Sequence, residues 1–230
     1  LGASYEGKLL GTWGDAAFFS LGRDKVVSSV FGGVAITKET KLLSRLRKIE
    51  QNLPENSWGW VTQQLLHPIL TWVFLPVYNV GLGKAGLWLS QKLGLLSKAV
   101  YEEEKEGLKP NCFPAKYAPP LAQLGLHQLQ KLERFNKHRR EIAEIYFEEL
   151  EGTELKLPVR REGDIYLRFT VTHPQARELY LRAKLEEKWV LGDWYRMSNQ
   201  VLNLPTYIGF SQEQARELCE QLKIWLKLAK

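Results

Sequence analysis

Cysteine, methionine and histidine are scarce in this chain of 230 residues: two, one and four respectively. Cys112 and Cys219 fit neither a disulfide framework nor a metal-ligand pair. His67, His127, His138 and His173 show no ligand spacing, so no metal site is expected. A reducing, cytoplasmic compartment follows as the default. A dense basic stripe with interleaved stacking aromatics is also missing. The net charge is +6, but the basic residues alternate with glutamate, as in Lys131-Leu132-Glu133-Arg134. That pattern describes solvated helix faces, and no nucleic-acid partner is expected. What is present is apolar: 44% of residues, enough to bury a core in one or two domains.

Composition divides the chain at 1–54, 55–110 and 111–230. In the first part, strands are expected at Ala16–Ser20 and Val26–Ile36, then a basic helix around Thr40–Gln51 that ends before Pro54. In the last part, Leu121, Leu124, Leu129, Leu132, Phe135, Ile142 and Ile145 recur near helical spacing and predict one long amphipathic helix to about Leu150. Gly152 supplies its stop. Strands are expected at Glu154–Pro158 and Ile165–Thr172. Pro174 opens a helix from Gln175 to Lys188. Ser211-Gln212-Glu213-Gln214 is a capping box for a final helix, with Leu218, Leu222 and Trp225 on its apolar stripe. Helix, strands, helix and helix make an α+β domain.

The middle part stands apart. From Val61 to Gly83 no side chain carries a formal charge unless His67 is protonated. The run is long enough to span a bilayer, but Pro68 and Pro76 each remove a backbone bond that lipid cannot replace, and a clean span is disfavoured. Two readings remain. Either the segment packs as a helical pair, or it lies at a membrane interface with Trp58, Trp60, Trp72, Tyr78 and Trp88 near headgroups and Lys84, Lys92 and Lys98 on anionic lipid. Glu102–Gly107 with Pro110 then reads as a polar helix end and linker.

Lys25 follows the apolar stretch Ala16–Phe19, Ser20 and a tight turn, and precedes a β-branched run closed by Phe31-Gly32-Gly33-Val34-Ala35-Ile36-Thr37. That order sets one amine at a strand edge between two buried strands, with a hydroxyl shortly before it. An enzyme that forms a Schiff base needs an amine partly desolvated and aimed by rigid neighbours. Without that context, a turn lysine is simply solvated.

The opening segment, Leu1-Gly2-Ala3-Ser4-Tyr5-Glu6-Gly7-Lys8 through Gly11-Thr12-Trp13-Gly14-Asp15-Ala16-Ala17 to Ser20, Lys25 and Gly32-Gly33, resembles the centre of the DegT/DnrJ/StrS family. So do Leu121-Ala122-Gln123-Leu124-Gly125-Leu126-His127-Gln128-Leu129 with Lys131-Leu132-Glu133 and Arg139-Arg140-Glu141-Ile142-Ala143, and Leu204-Pro205-Thr206. These are pyridoxal-phosphate aminotransferases of nucleotide-linked keto sugars. The resemblance implies an α/β fold: the C-terminal portion of a PLP-dependent transferase, with 1–54 ending the large cofactor domain, 55–110 an apolar helical insertion and linker, and 111–230 the small domain. It also implies that the aspartate for the pyridine nitrogen, the stacking aromatic and the phosphate-cupping turn would precede Leu1. This portion alone is therefore expected to be inactive.

By the same resemblance Lys25 holds pyridoxal 5'-phosphate and is the catalytic residue. Ser20 lies where the family bonds the cofactor phosphate, and that role is favoured over a plain turn hydroxyl. L-glutamate is the implied donor, a nucleotide sugar the acceptor, and a homodimer the assembly. A branch of the family with histidine in place of this lysine performs dehydration, and Lys25 argues against it. The family's Asn-x-Arg motif before the Leu121 helix, which reaches the partner subunit's phosphate, is replaced here by Pro114 and Lys116; Lys116 is a candidate for substrate binding, but lysine holds an anion only as a point charge. Arg196, after Trp194 and Tyr195, is a candidate for the nucleotide-sugar side. A protein that keeps this fold without catalysis, or sits at the inner face of a membrane through 61–83, is the alternative.

Overall fold

The structure, a computed structural model, describes residues 1–78, 80–97, 100–185, 191–193 and 199–228. It separates into two compact units: Gly11–Lys131 with Leu1, and Leu132–Lys230 with Gly2–Leu10.

The chain opens with a small ribbon, β1 (Ser4–Tyr5) against β2 (Lys8–Leu9), which belongs to the second unit. The first unit starts with an antiparallel pair, β3 (Ala16–Ser20) and β4 (Gly33–Thr37). The second strand is shorter than the β-branched run predicts. Val30 at φ 72° and Gly32 at φ 139° interrupt the extended backbone, and Ser29 turns back to donate its amide to the Leu21 carbonyl at 2.9 Å. Val26, Val27 and Val30 are nevertheless buried, as loop side chains rather than strand residues. Nor are the two strands buried. Phe18 is 86% exposed, and neither strand holds a buried residue.

Helix α1 (Thr40–Gln51) follows as the sequence predicts. The uncharged segment forms α2 (Trp58–Phe74), a 3-10 turn at Leu75–Val77 and α3 (Leu82–Lys92). Ser57 caps α2 by accepting from the Trp60 amide at 3.2 Å. The helices α2 and α3 pack as a hairpin. Gly83 and Gly86 allow this, since a Cβ at either would strike the Phe74 carbonyl or ring. The buried residues are Val61 and Gln64 in α2 and Gly83 and Ser90 in α3. Towards the tip, Ile69, Trp72, Val73, Leu75, Val80 and Leu82 are exposed. Among the described residues no helix is long and apolar enough to cross a membrane. The polar stretch after it carries a single turn, α4 (Glu102–Lys105).

The long helix expected to Leu150 is broken in two. Helix α5 (Pro119–Leu129) starts on two prolines, which suit a first turn. At its end the Lys131 amide bonds the Gln128 carbonyl, three residues back instead of four, and α6 (Leu132–Leu150) begins anew. Gly152 then takes φ 72°, the left-handed stop that favours glycine.

The second unit is α+β. Strand β5 (Phe169–Thr172) is half the expected length. Tyr166 adopts φ 45°, and the Thr206 hydroxyl draws the Tyr166 and Leu167 carbonyls to itself at 2.8 and 3.1 Å. The strand expected at Glu154–Pro158 is one isolated bridge, Lys156 to Thr172, since Pro158 has no amide to extend it. Helix α7 (Ala176–Leu185), β6 (Gly192–Asp193), β7 (Val201–Leu204) and α8 (Gln212–Leu228) complete the unit. The predicted helix end at residues 186–188 lies outside the described residues. Strand β7 sits centrally, antiparallel to both β5 and β6. The core gathers Tyr146, Phe169, Val171, Leu202, Leu218 and Leu222. The capping box forms as predicted: the Ser211 hydroxyl accepts from the Gln214 amide at 3.1 Å, and the Gln214 side chain accepts from the Ser211 amide at 2.9 Å.

Candidate functional site

Ser20 ends β3, and its hydroxyl accepts from the Gly22 amide at 3.3 Å. The Lys25 amide donates to the Gly22 carbonyl at 3.1 Å, closing a tight turn. Lys25 therefore sits where the sequence puts it, on a turn after the strand. Its amine is more solvated than expected: the side chain is 38% exposed and Nζ pairs with Asp24 Oδ2 at 2.9 Å.

Ser20, Lys25 and Lys116 line one cleft of about 1140 Å³ in the first unit, so the structure brings three of the candidate side chains together. Lys116 is held by its backbone amide, which donates to the Pro54 carbonyl at 2.9 Å, and its Nζ lies 3.5 Å from Glu55 Oε1. Arg196, with Trp194 and Tyr195, lies outside the described residues, as does Lys98.

The wall of the cleft is aromatic. Phe31 has the rings of Trp60, Phe113 and Tyr101 at 5.6, 6.0 and 6.1 Å, and Trp60 Nε1 donates to the Tyr101 hydroxyl at 2.9 Å. Tyr117 reaches across to the loop before β4 and donates to the Ser29 hydroxyl at 2.5 Å. Burial raises the pKa of both tyrosines, which keeps them neutral donors.

Sequence reading missed Arg23. Its guanidinium donates to the Ser97 carbonyl at 2.9 Å, to Gln64 Oε1 at 3.1 Å and to the Ser97 hydroxyl, and lies 5.1 Å over the Phe31 ring. Burial lowers its pKa. Burial, together with the Arg23 charge, also pulls His67 down to about 4, so this imidazole is neutral at neutral pH. The signal available beforehand was Gln64 itself, an amide inside an apolar helical run. Among the described residues, no three His, Cys, Asp or Glu side chains gather as a metal ion would need.

The element order and the two units define the class: this is the aminotransferase fold, seen in solved structures across nearly the whole chain. A DegT/DnrJ/EryC1/StrS aminotransferase from Brucella abortus aligns with 97% of this chain and 54% of its own, at a TM-score of 0.65 and 13% identity. A putative sugar aminotransferase from Streptococcus pneumoniae in its PLP-form covers 100% and 56%, at 0.63 and 14%. DesI, solved in the presence of its TDP-sugar product, covers 98% and 53%, at 0.58 and 16%. Residues 116–195 match the model of the DegT/DnrJ/EryC1/StrS aminotransferase family. The uncharacterized protein MJ1066 of Methanocaldococcus jannaschii is 27% identical over 155 residues, 67% of this chain and 31% of that protein. The chain thus spans about half the length of the solved structures and under a third of this relative.

Proposed function

We propose that the protein is a pyridoxal-phosphate-dependent aminotransferase that moves an amino group from an amino acid, L-glutamate by the family resemblance, to a nucleotide-linked keto sugar. One observation carries this reading: a turn-borne primary amine, Lys25, opens on the same cleft as the Ser20 hydroxyl and the Lys116 amine. That donor set fits the cofactor, an amine for its aldehyde and a hydroxyl and a cation for its phosphate. The family match over 116–195 and the TDP-sugar product recorded with DesI support the substrate class.

When bound, the cofactor supplies the ring that accepts the electron pair left at the donor's Cα. Lys25 is the residue that would hold the cofactor's aldehyde, and its amine would carry the proton at the donor's Cα. Ser20 and Lys116 would orient the phosphate. Phe31 and Trp60 keep water from one wall of the cleft. A homodimer and a cytoplasmic location complete the reading. It is tested by borohydride trapping of pyridoxal phosphate on the intact protein, followed by peptide mapping. The expected label is on Lys25, and a label elsewhere overturns the assignment.

A second reading, contact with the inner face of a membrane, with or without catalysis, is favoured by the hairpin tip. Between Glu55 and Glu102 the sequence has no Asp or Glu, and the tip's apolar side chains are exposed, Trp72 at 78%. Lys84 and Lys92 lie over Tyr78 and Trp88 at 5.2 and 4.4 Å. An apolar, aromatic and acid-free surface with flanking lysines suits the headgroup region of an anionic bilayer.

A further inference from the structure

We propose that Arg23 is a positioning residue for the Lys25 turn, held by Gln64 and Ser97, so that the apolar helical segment is a working part of the candidate site. The proposal rests on the reading of Lys25 as the cofactor-bearing amine.

The loop from Leu21 to Gly32 contains no regular helix or strand. Its backbone is closed by few bonds: the Leu21 amide to the Gly32 carbonyl at 2.9 Å, Ser29 to Leu21 at 2.9 Å and Lys25 to Gly22 at 3.1 Å. These fix the loop's internal shape. Arg23 instead ties the loop to distant chain, across 41 positions to Gln64 and 74 to Ser97. It sits two residues before Lys25, so a shift of its guanidinium moves the turn that carries the amine.

The partners are built for this. Gln64 is fully buried and Ser97 nearly so. An amide buried among apolar side chains is costly unless it is bonded. Here the Gln64 oxygen accepts from Arg23 and from the Ser97 hydroxyl, the latter at 2.7 Å, and its nitrogen donates to the Trp60 carbonyl at 3.3 Å. The guanidinium fork meets the Ser97 carbonyl, the Ser97 hydroxyl and Gln64 at once while lying over Phe31. A lysine ammonium has neither the plane nor the fork to do so.

The test uses the intact protein with Arg23→Ala, Arg23→Lys, Gln64→Leu and, as a control, Lys25→Ala. Pyridoxal-phosphate affinity is read by titration, and amide exchange is read at Leu21, Lys25 and Ser29. Arg23→Ala and Gln64→Leu are expected to weaken affinity about tenfold or more, the scale of a lost charged hydrogen bond. Exchange is expected to rise at those three amides and not in the core around Tyr146 and Leu218. Arg23→Lys is expected to restore little. If Arg23→Ala does not fold, Ser97→Ala, which removes one hydroxyl, gives the same two readouts. Wild-type affinity and exchange in the Arg23 and Gln64 variants, with the adduct lost in Lys25→Ala, would overturn the positioning role alone. A Lys25→Ala protein that keeps its covalent adduct would overturn the reading of Lys25, and this proposal with it.

Discussion

The Tyr117 hydroxyl donates to the Ser29 hydroxyl at 2.5 Å, joining residues 88 positions apart. Ser29 is fully buried, and its hydroxyl donates in turn to the Phe31 carbonyl at 2.9 Å. Two glycines make room for the tyrosine: Gly32 lies against its ring, and a Cβ at Gly125 would sit 2.9 Å from its oxygen. The start of α5 is thereby tied to the loop that bears Lys25.

Tyr117→Phe is expected to lower stability by about 1 kcal/mol, the net worth of a buried neutral hydrogen bond. Gly125→Ala is expected to cost a similar amount through crowding. Urea unfolding checks both, with a lowered midpoint at unchanged slope. An unshifted midpoint in both variants would contradict the tie.

Lys25→Ala is expected to abolish the visible absorbance of bound pyridoxal phosphate in the intact protein, with secondary structure by circular dichroism unchanged. Because the side chain is exposed and its ion pair with Asp24 is local, the substitution has little to destabilise.

His67 gives a pH dependence. Its pKa falls from 6.5 to about 4 on folding, through burial first and the Arg23 charge second. Between those values the unfolded chain binds a proton that the folded chain refuses, so stability declines as pH drops from about 6.5 towards 4 and loses no more from this group below that. The loss is a few kcal/mol at most. His67→Gln is expected to flatten that part of the stability profile, measured by denaturant midpoints across the range. An unchanged slope in the variant would show that other groups set it.

Vesicle sedimentation separates the readings of the hairpin. Binding to phosphatidylglycerol vesicles, weaker on phosphatidylcholine and lost in Trp72→Ser with Leu75→Ser, is expected for membrane contact. Lys84→Glu with Lys92→Glu should remove the preference for anionic lipid, at roughly 1 kcal/mol per lysine. A protein that ignores both vesicles, but loses self-association in the same variants, covers this surface with another copy.

Much of the fold was legible because local rules decide it. Pro54 marked the end of α1, and Ser211 with Gln214 placed the start of α8. Where the sequence misled, a side chain or a backbone angle intervened from elsewhere. Thr206 diverted carbonyls from the expected strand before Phe169, and Val30 and Gly32 bent a run whose valines looked like strand residues. The break at Gln130 and Lys131 had no proline or glycine to announce it.

The candidate site divides along the same line. The sequence by itself determined that Ser20 and Lys25 share one strand-and-turn, since spacing along the chain fixes that neighbourhood. It also determined that the segment from Val61 to Gly83 is uncharged. Only the tertiary structure decided that Lys116 joins them on one cleft and that Arg23 is clasped by Gln64 and Ser97. Those relations link positions tens of residues apart, and a buried polar group takes whichever partner the packed chain brings within reach.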